Sequence, residues 1–137
     1  YFLFYISPKR GWTVQIIITI MHLSIIDRQI IASFTSAEKQ AIYQVLCAAV
    51  KIDGKVDDRE MQVLSEIIDI LQITEDEIIS SRIHQDSSFS VLQNMPDIKK
   101  PYVLKFAALI CLADGHTDPK EVAFVSWLAQ EIKAPAM

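Results

Sequence analysis

Glycine and cysteine are scarce in this chain of 137 residues, and each scarcity argues against a class of protein. Three glycines leave little room for a glycine-rich phosphate-binding loop, and the sequence contains no motif of a serine or cysteine nucleophile. We therefore expect a protein that is not an enzyme. The two cysteines lack the spacing of a disulfide scaffold, which favours reduced thiols and a cytoplasmic location. A bridge between Cys47 and Cys111 stays open, because both lie in apolar segments that we expect to form packed helices.

Basic residues are fewer than acidic ones. The chain has thirteen Lys and Arg and seventeen Asp and Glu, which gives a net charge of −4, and the basic residues are scattered along the sequence. Nucleic-acid binding is therefore not expected, because it needs a concentrated basic surface. The net negative charge is more compatible with the binding of cations or of basic partner proteins. Apolar residues make up 51% of the sequence, which is enough to bury the core of a single domain.

The first twenty residues, YFLFYISPKRGWTVQIIITI, differ from the rest because they are aromatic and β-branched. The segment has some features of a transmembrane helix, but it is short and interrupted by polar residues. It also has some features of a signal peptide, without a convincing cleavage site. The interpretation that we favour is an extension, non-native or disordered, ahead of a natural start at Met21. Residues 21–137 would then form the helical domain, and membrane contact is expected only if residues 1–20 are native.

Apolar residues after Met21 recur every three or four positions, which predicts about seven helices and an all-α fold. The first helix is expected over residues 22–34, with Leu23, Ile26, Ile30 and Ile31 facing inward. Thr35 with Glu38, and Thr74 with Glu77, have the spacing of capping boxes and predict two further helix starts. The remaining helices are expected after Asp57, around residues 89–95, from about 97 or 101 to 113, and from 118 to 132.

One segment of the sequence occurs twice. DGKVDDRE and DGHTDPKE stand 61 positions apart, each between two apolar helices, so the chain contains two related helix hairpins. The equivalent pairs are Asp53 and Asp114, Gly54 and Gly115, Asp57 and Asp118, and Glu60 and Glu121.

Two interpretations of these loops remain open. In the first, the glycines end one helix while the second aspartate and the glutamate cap the next. Capping does not explain Asp53 and Asp114, which we expect at the negative end of a helix, where a carboxylate is disfavoured by about 0.3 to 1 kcal/mol. In the second interpretation, a hard divalent cation such as Ca²⁺ or Mg²⁺ offsets that cost. The spacing is not that of an EF-hand, so binding through one loop would be weak or completed by water.

The doubled pattern of helix, DGxxDxxE and helix resembles the TerB-like family, which is named for tellurite resistance and also includes the N-terminal domain of a membrane-anchored DnaJ-like co-chaperone. The resemblance implies an all-helical domain of two related halves with an acidic patch that binds metal. Transferred to this sequence, the patch comprises Asp53, Asp57, Glu60, Asp114, Asp118 and Glu121.

Two hypotheses of function follow. The first is a non-enzymatic, acidic, metal-binding module with a role in the stress (tellurite) response or of the co-chaperone type. The alternative is a structural protein–protein interaction domain whose acidic loops only cap helices. In either case we expect a protein partner, which the sequence does not identify, and a homodimer is among the arrangements considered.

Overall fold

Seven α-helices account for most of the chain in a computed structural model, which describes residues 22–52, 54, 56–113, 115 and 119–135. Within these residues there is no strand, so the predicted all-α class is confirmed. A short 3-10 helix, Gln85–Ser87, precedes the fifth α-helix. The helices are α1 (Ile25–Ala32), α2 (Ser36–Val50), α3 (Asp58–Leu71), α4 (Glu75–Ile83), α5 (Ser88–Asn94), α6 (Lys100–Cys111) and α7 (Pro119–Glu131).

Capping boxes fix three of the helix starts. The Glu38 amide donates to the Thr35 hydroxyl at 3.2 Å, and the Thr35 amide donates to the Glu38 carboxylate at 2.8 Å. Thr74 and Glu77 make the same pair of bonds at the start of α4, so both predicted boxes are confirmed. A third box, formed by Ser24 and Asp27, begins α1 three residues later than predicted.

Helix α2 lies at the centre of the fold. It packs against α3, α4, α5 and α6, and its Ile42, Leu46 and Ala49 side chains are fully buried. Helix α6 is the second central element, in keeping with its mostly apolar sequence, and it packs against α2, α3 and α7. Together these helices bury one continuous apolar core, which provides the stability that holds the loops between them in place.

The prediction that Ile26 faces the core was wrong, since 65% of its surface is exposed. Because the Ser24 cap delays the start of α1, the helix has only eight residues and buries a single side chain, that of Ile31. Leu23, which precedes the helix, packs on the core from outside, and Ile30 is half-buried.

Neither cysteine is in a disulfide, so the bridge considered above is not formed; Cys47 is half-buried and Cys111 is buried. Burial raises the pKa of the Cys47 thiol, which keeps it in the less reactive neutral form. The predicted extension, residues 1–20, lies outside the described part of the chain. Among the helices that the structure describes, none is both long and apolar enough to cross a bilayer.

Candidate metal site in the acidic loops

The same glycine turn opens both acidic loops. After α2 ends, Gly54 has a φ of +80° and its amide donates to the Lys51 carbonyl at 3.0 Å. After α6 ends, Gly115 has a φ of +79° and its amide donates to the Leu112 carbonyl at 3.1 Å. A Cβ atom would meet nothing within 4 Å at either position, so glycine is favoured there by the positive φ rather than by lack of space.

Asp57 is the N-cap of α3, as predicted. Its carboxylate accepts from the Arg59 amide at 2.7 Å and lies 3.5 Å from the Arg59 side-chain nitrogen Nε. The amide hydrogen bond is the main reason that the pKa of the Asp57 carboxyl lies below its usual value. Asp57 is therefore ionised at neutral pH and already engaged in capping, although its side chain is only partly covered.

Glu60 and Glu121 are buried, with 1% and 3% of their surfaces exposed. They occupy equivalent positions of the repeat, in the first turn of α3 and the first turn of α7. A carboxylate is costly to bury unless hydrogen bonds, an opposite charge or a cation compensates for the lost water. Burial of the same acidic residue in both halves is thus a shared property of the two loops.

Sequence reasoning missed this burial because it considered both glutamates only as helix caps or metal ligands. The signal was nevertheless present in the spacing of apolar residues. Val63, Leu64 and Ile67 follow Glu60 at intervals of three, four and seven, and all three are buried. Phe124, Val125 and Leu128 follow Glu121 at the same intervals. Both glutamates therefore continue the inward stripe of their helices.

Three of the six predicted ligands, Asp53, Asp114 and Asp118, lie outside the described residues. Within the part that is described, no three His, Cys, Asp or Glu side chains are grouped closely enough to hold a metal ion. Asp57, Glu60 and Glu121 are placed as above, and the gathering of all six stays a prediction.

One groove is lined by residues that lie next to the first acidic motif and within the second. These are Ile52, which directly precedes the first motif, and Lys120, which belongs to the second motif and to the first turn of α7. Aromatic rings form another part of the wall: Phe89 and Trp127 meet edge to face with ring centroids 5.3 Å apart. The groove has a volume of about 620 Å³ and a mostly apolar surface, and 44% of Trp127 is exposed. Residues of both hairpins therefore line a single groove.

Residues 21–83 match the model of the family described as tellurite resistance protein TerB. The resemblance to TerB-like proteins is confirmed. The match begins at residue 21, ends at the last residue of α4 and includes the first acidic loop. No curated protein matches the sequence significantly.

A solved structure of a protein of unknown function from Porphyromonas gingivalis resembles the TerB-like fold of this chain with a TM-score of 0.62. The two sequences are 24% identical over 76% of this chain and 83% of the other. At that level of identity the similarity concerns the fold.

Proposed function

We propose that this chain is a non-enzymatic TerB-like module that binds a divalent cation, Ca²⁺ or Mg²⁺, at its acidic loops. The observation that supports the proposal most directly is the burial of Glu60 and Glu121 beside two turns of matching geometry. The proposed ligands are Asp53, Asp57 and Glu60 in the first loop and Asp114, Asp118 and Glu121 in the second.

The chemistry of the donor set fits a hard cation. Every proposed ligand is a carboxylate, and Ca²⁺ and Mg²⁺ prefer oxygen ligands. Each loop offers three such side chains within eight residues, so water would complete the coordination. A bound cation would supply positive charge next to the negative ends of α2 and α6, where Asp53 and Asp114 follow in sequence.

In this proposal the cation acts on loop conformation. Each set of carboxylates repels itself, and a cation that neutralises the repulsion would favour one arrangement of the loop. Because Ile52 and Lys120 line the apolar groove and adjoin the proposed ligands in sequence, the order of the loops would affect a partner protein that docks there. We propose a cytoplasmic role of this kind in a stress (tellurite) response or beside a chaperone.

Thermal unfolding in the presence of Ca²⁺ or Mg²⁺ tests the proposal. A cation that binds only the folded protein raises the melting temperature with its concentration, by mass action. We expect Glu60→Gln or Asp114→Asn to reduce that rise while leaving the chain folded. Asp58→Asn is the matched control, because Asp58 is an exposed neighbour whose replacement removes the same charge, and its counterpart in the second loop is Pro119 rather than an acidic residue.

An unchanged melting temperature at millimolar cation, or an equal rise in Glu60→Gln and Asp58→Asn, would contradict metal binding by the loops. The alternative function is then a structural interaction domain whose acidic residues cap helices. That alternative is favoured by Asp57, whose carboxylate is already held by the Arg59 amide. If this alternative is correct, a chelator would not change the affinity for a partner protein.

A further inference from the structure

Helix α7 carries apolar side chains on more than one face. Phe124 and Leu128 are buried, whereas Val122 and Trp127 keep 54% and 44% of their surfaces exposed. Among the helices that the structure describes, only α6 packs extensively against α7. Apolar residues around most of a helix are typical of a helix that several neighbours cover. We therefore expect a further surface, which the described residues do not supply, to cover part of α7.

One exposed face of α7 forms a wall of the apolar groove. Lys120, Ala123, Phe124 and Trp127 line the groove at intervals of three and four residues, so they form one stripe along the helix. Glu131, the last residue of α7, is exposed and continues this stripe one turn beyond Trp127. The stripe therefore begins with a positive charge, ends with a negative charge and carries two aromatic rings between them.

The order of residues along the stripe is self-complementary. Lys120, Phe124, Trp127 and Glu131 follow one another at intervals of four, three and four, so the spacing is the same in both directions. When two copies of α7 lie antiparallel across a two-fold axis, Lys120 of one copy faces Glu131 of the other. Phe124 then faces Trp127, and every contact occurs twice. Opposite charges thus meet at both ends of the contact, and aromatic rings meet at its centre.

The groove has room for part of a second copy. Two of the residues that line it are small, Ala48 on α2 and Ala123 on α7, which lets another helix approach closely. Its volume of about 620 Å³ and its mostly apolar surface suit the Trp127 side chain of the second copy, beside Phe89. Aromatic side chains that lose their water at the centre of an interface dominate its binding energy.

We propose that this groove is the interface of a homodimer, in which α7 of each copy lies antiparallel against α7 of the other. The charges favour a second copy over an unrelated protein, because the stripe supplies both members of each ion pair. The thirteen residues of α7 span about 20 Å, so the contact is small and the dimer should dissociate on dilution. The proposal rests on the proposed function only in taking the groove as a site of protein docking, and it does not require a bound cation.

Sedimentation velocity of the full chain over a range of concentrations, with a chelator present, tests the proposal. We expect a monomer–dimer equilibrium. Trp127→Ala should weaken the dimer about a hundredfold, because each dimer loses two central aromatic side chains. Val122→Ala is the matched control, since Val122 is an exposed apolar residue of the same helix that does not line the groove. Circular dichroism should show both variants folded, because each side chain is about half exposed.

An exchange of charges tests the antiparallel register. Lys120→Glu and Glu131→Lys each place like charges opposite one another in the dimer, and each should weaken it about tenfold. A mixture of the two variants should form a mixed dimer with about the original affinity, because opposite charges then face each other again. The chain that carries both substitutions should dimerise with itself for the same reason.

A chain that stays monomeric at every concentration would overturn the proposal and leave the groove for a different protein. A dimer that Trp127→Ala and Val122→Ala affect equally would place the interface elsewhere on the chain. A dimer that the exchange of charges does not restore would contradict the antiparallel contact. Because the chelator removes cations throughout, these outcomes are separate from failure of the metal proposal, which thermal unfolding with cations measures.

Discussion

A hydrogen bond between Tyr102 and Asp27 joins α6 to the cap of α1. The Tyr102 hydroxyl donates to Asp27, whose carboxylate also accepts from the Ser24 amide at 3.0 Å. The bond from Tyr102 is the main cause of a lowered pKa at the Asp27 carboxyl. Burial, followed by the hydrogen bond and the charge of Asp27, raises the pKa of Tyr102 to about 12. Each residue therefore stabilises the protonation state that its partner requires.

This pair predicts how stability depends on pH. Asp27 has a lowered pKa in the folded state, so its contribution is complete above the unfolded value of about 4 and is lost as pH falls through the folded value. Tyr102 has a raised pKa, so its contribution is complete below about 10 and is lost as pH rises toward 12. Tyr102→Phe should cost about 1 kcal/mol at neutral pH and weaken both dependences. Urea denaturation across this pH range measures the effect.

Tyr43→Phe is the control for that prediction. Tyr43 is a half-buried tyrosine on α2, and its pKa is raised by burial and by Cys47 rather than by a carboxylate. Its replacement should therefore leave the acid side of the stability curve unchanged. An acid dependence that is identical in Tyr102→Phe and the original chain would show that the bond to Asp27 does not contribute.

At the scale of single residues, the sequence predicted which residues cap helices better than it predicted which residues are buried or which distant residues they contact. Asp57 was correctly placed as a cap, because capping depends on neighbours within one helical turn. The burial of Glu60 depends on the helices that cover the start of α3, and only the spacing of Val63, Leu64 and Ile67 hinted at it. The contact of Tyr102 with Asp27 joins residues 75 positions apart, which no local pattern encodes.

At the scale of helices, Lys99, which directly precedes α6, contacts the segment that connects α1 to α2 and the first turn of α2. Its ammonium lies 2.8 Å from the Glu38 carboxylate and donates to the Ser33 carbonyl at 3.0 Å. It also lies 5.5 Å from the centroid of the Phe34 ring. Both side chains of the ion pair are nearly buried, so solvent screens them weakly.

Removal of this ammonium should destabilise the fold. Lys99→Met leaves the Glu38 carboxylate buried without its cation, and we expect a loss of about 3 kcal/mol in the free energy of unfolding. Lys105→Met, on the exposed side of α6, should cost much less. Adding Glu38→Gln to Lys99→Met should recover part of the loss. Equal effects of the two lysine variants in chemical denaturation would contradict the assignment.

The helices differ in how far local sequence determined them. Thr35 and Thr74 gave the starts of α2 and α4 correctly, because a capping box is complete within four residues. The start of α1 was missed, although Ser24 and Asp27 have the same spacing with aspartate in place of glutamate. The Lys99 pair was not predictable, since Glu38 lies 61 positions away.

For the whole molecule, the two repeats do not form separate units. Helix α2 belongs to the first hairpin, yet it packs against α5 and α6 as well as against α3 and α4. The matched TerB segment ends at residue 83, whereas the core continues through fully buried side chains of α5 and α6, including Leu92, Val103 and Ile110. The repeat in the sequence therefore corresponds to two related hairpins that share one core.

This shared core predicts that residues 22–83 do not fold alone. Without α5 and α6, the buried face of α2 would be exposed to water, and a fragment this short has little other apolar surface to bury. We expect circular dichroism to show reduced helix content and no cooperative transition in urea, in contrast to the full chain. Mixing with residues 84–137 should restore both, because the missing helices then cover α2. A cooperative transition in the isolated fragment would show instead that the first hairpin carries its own core.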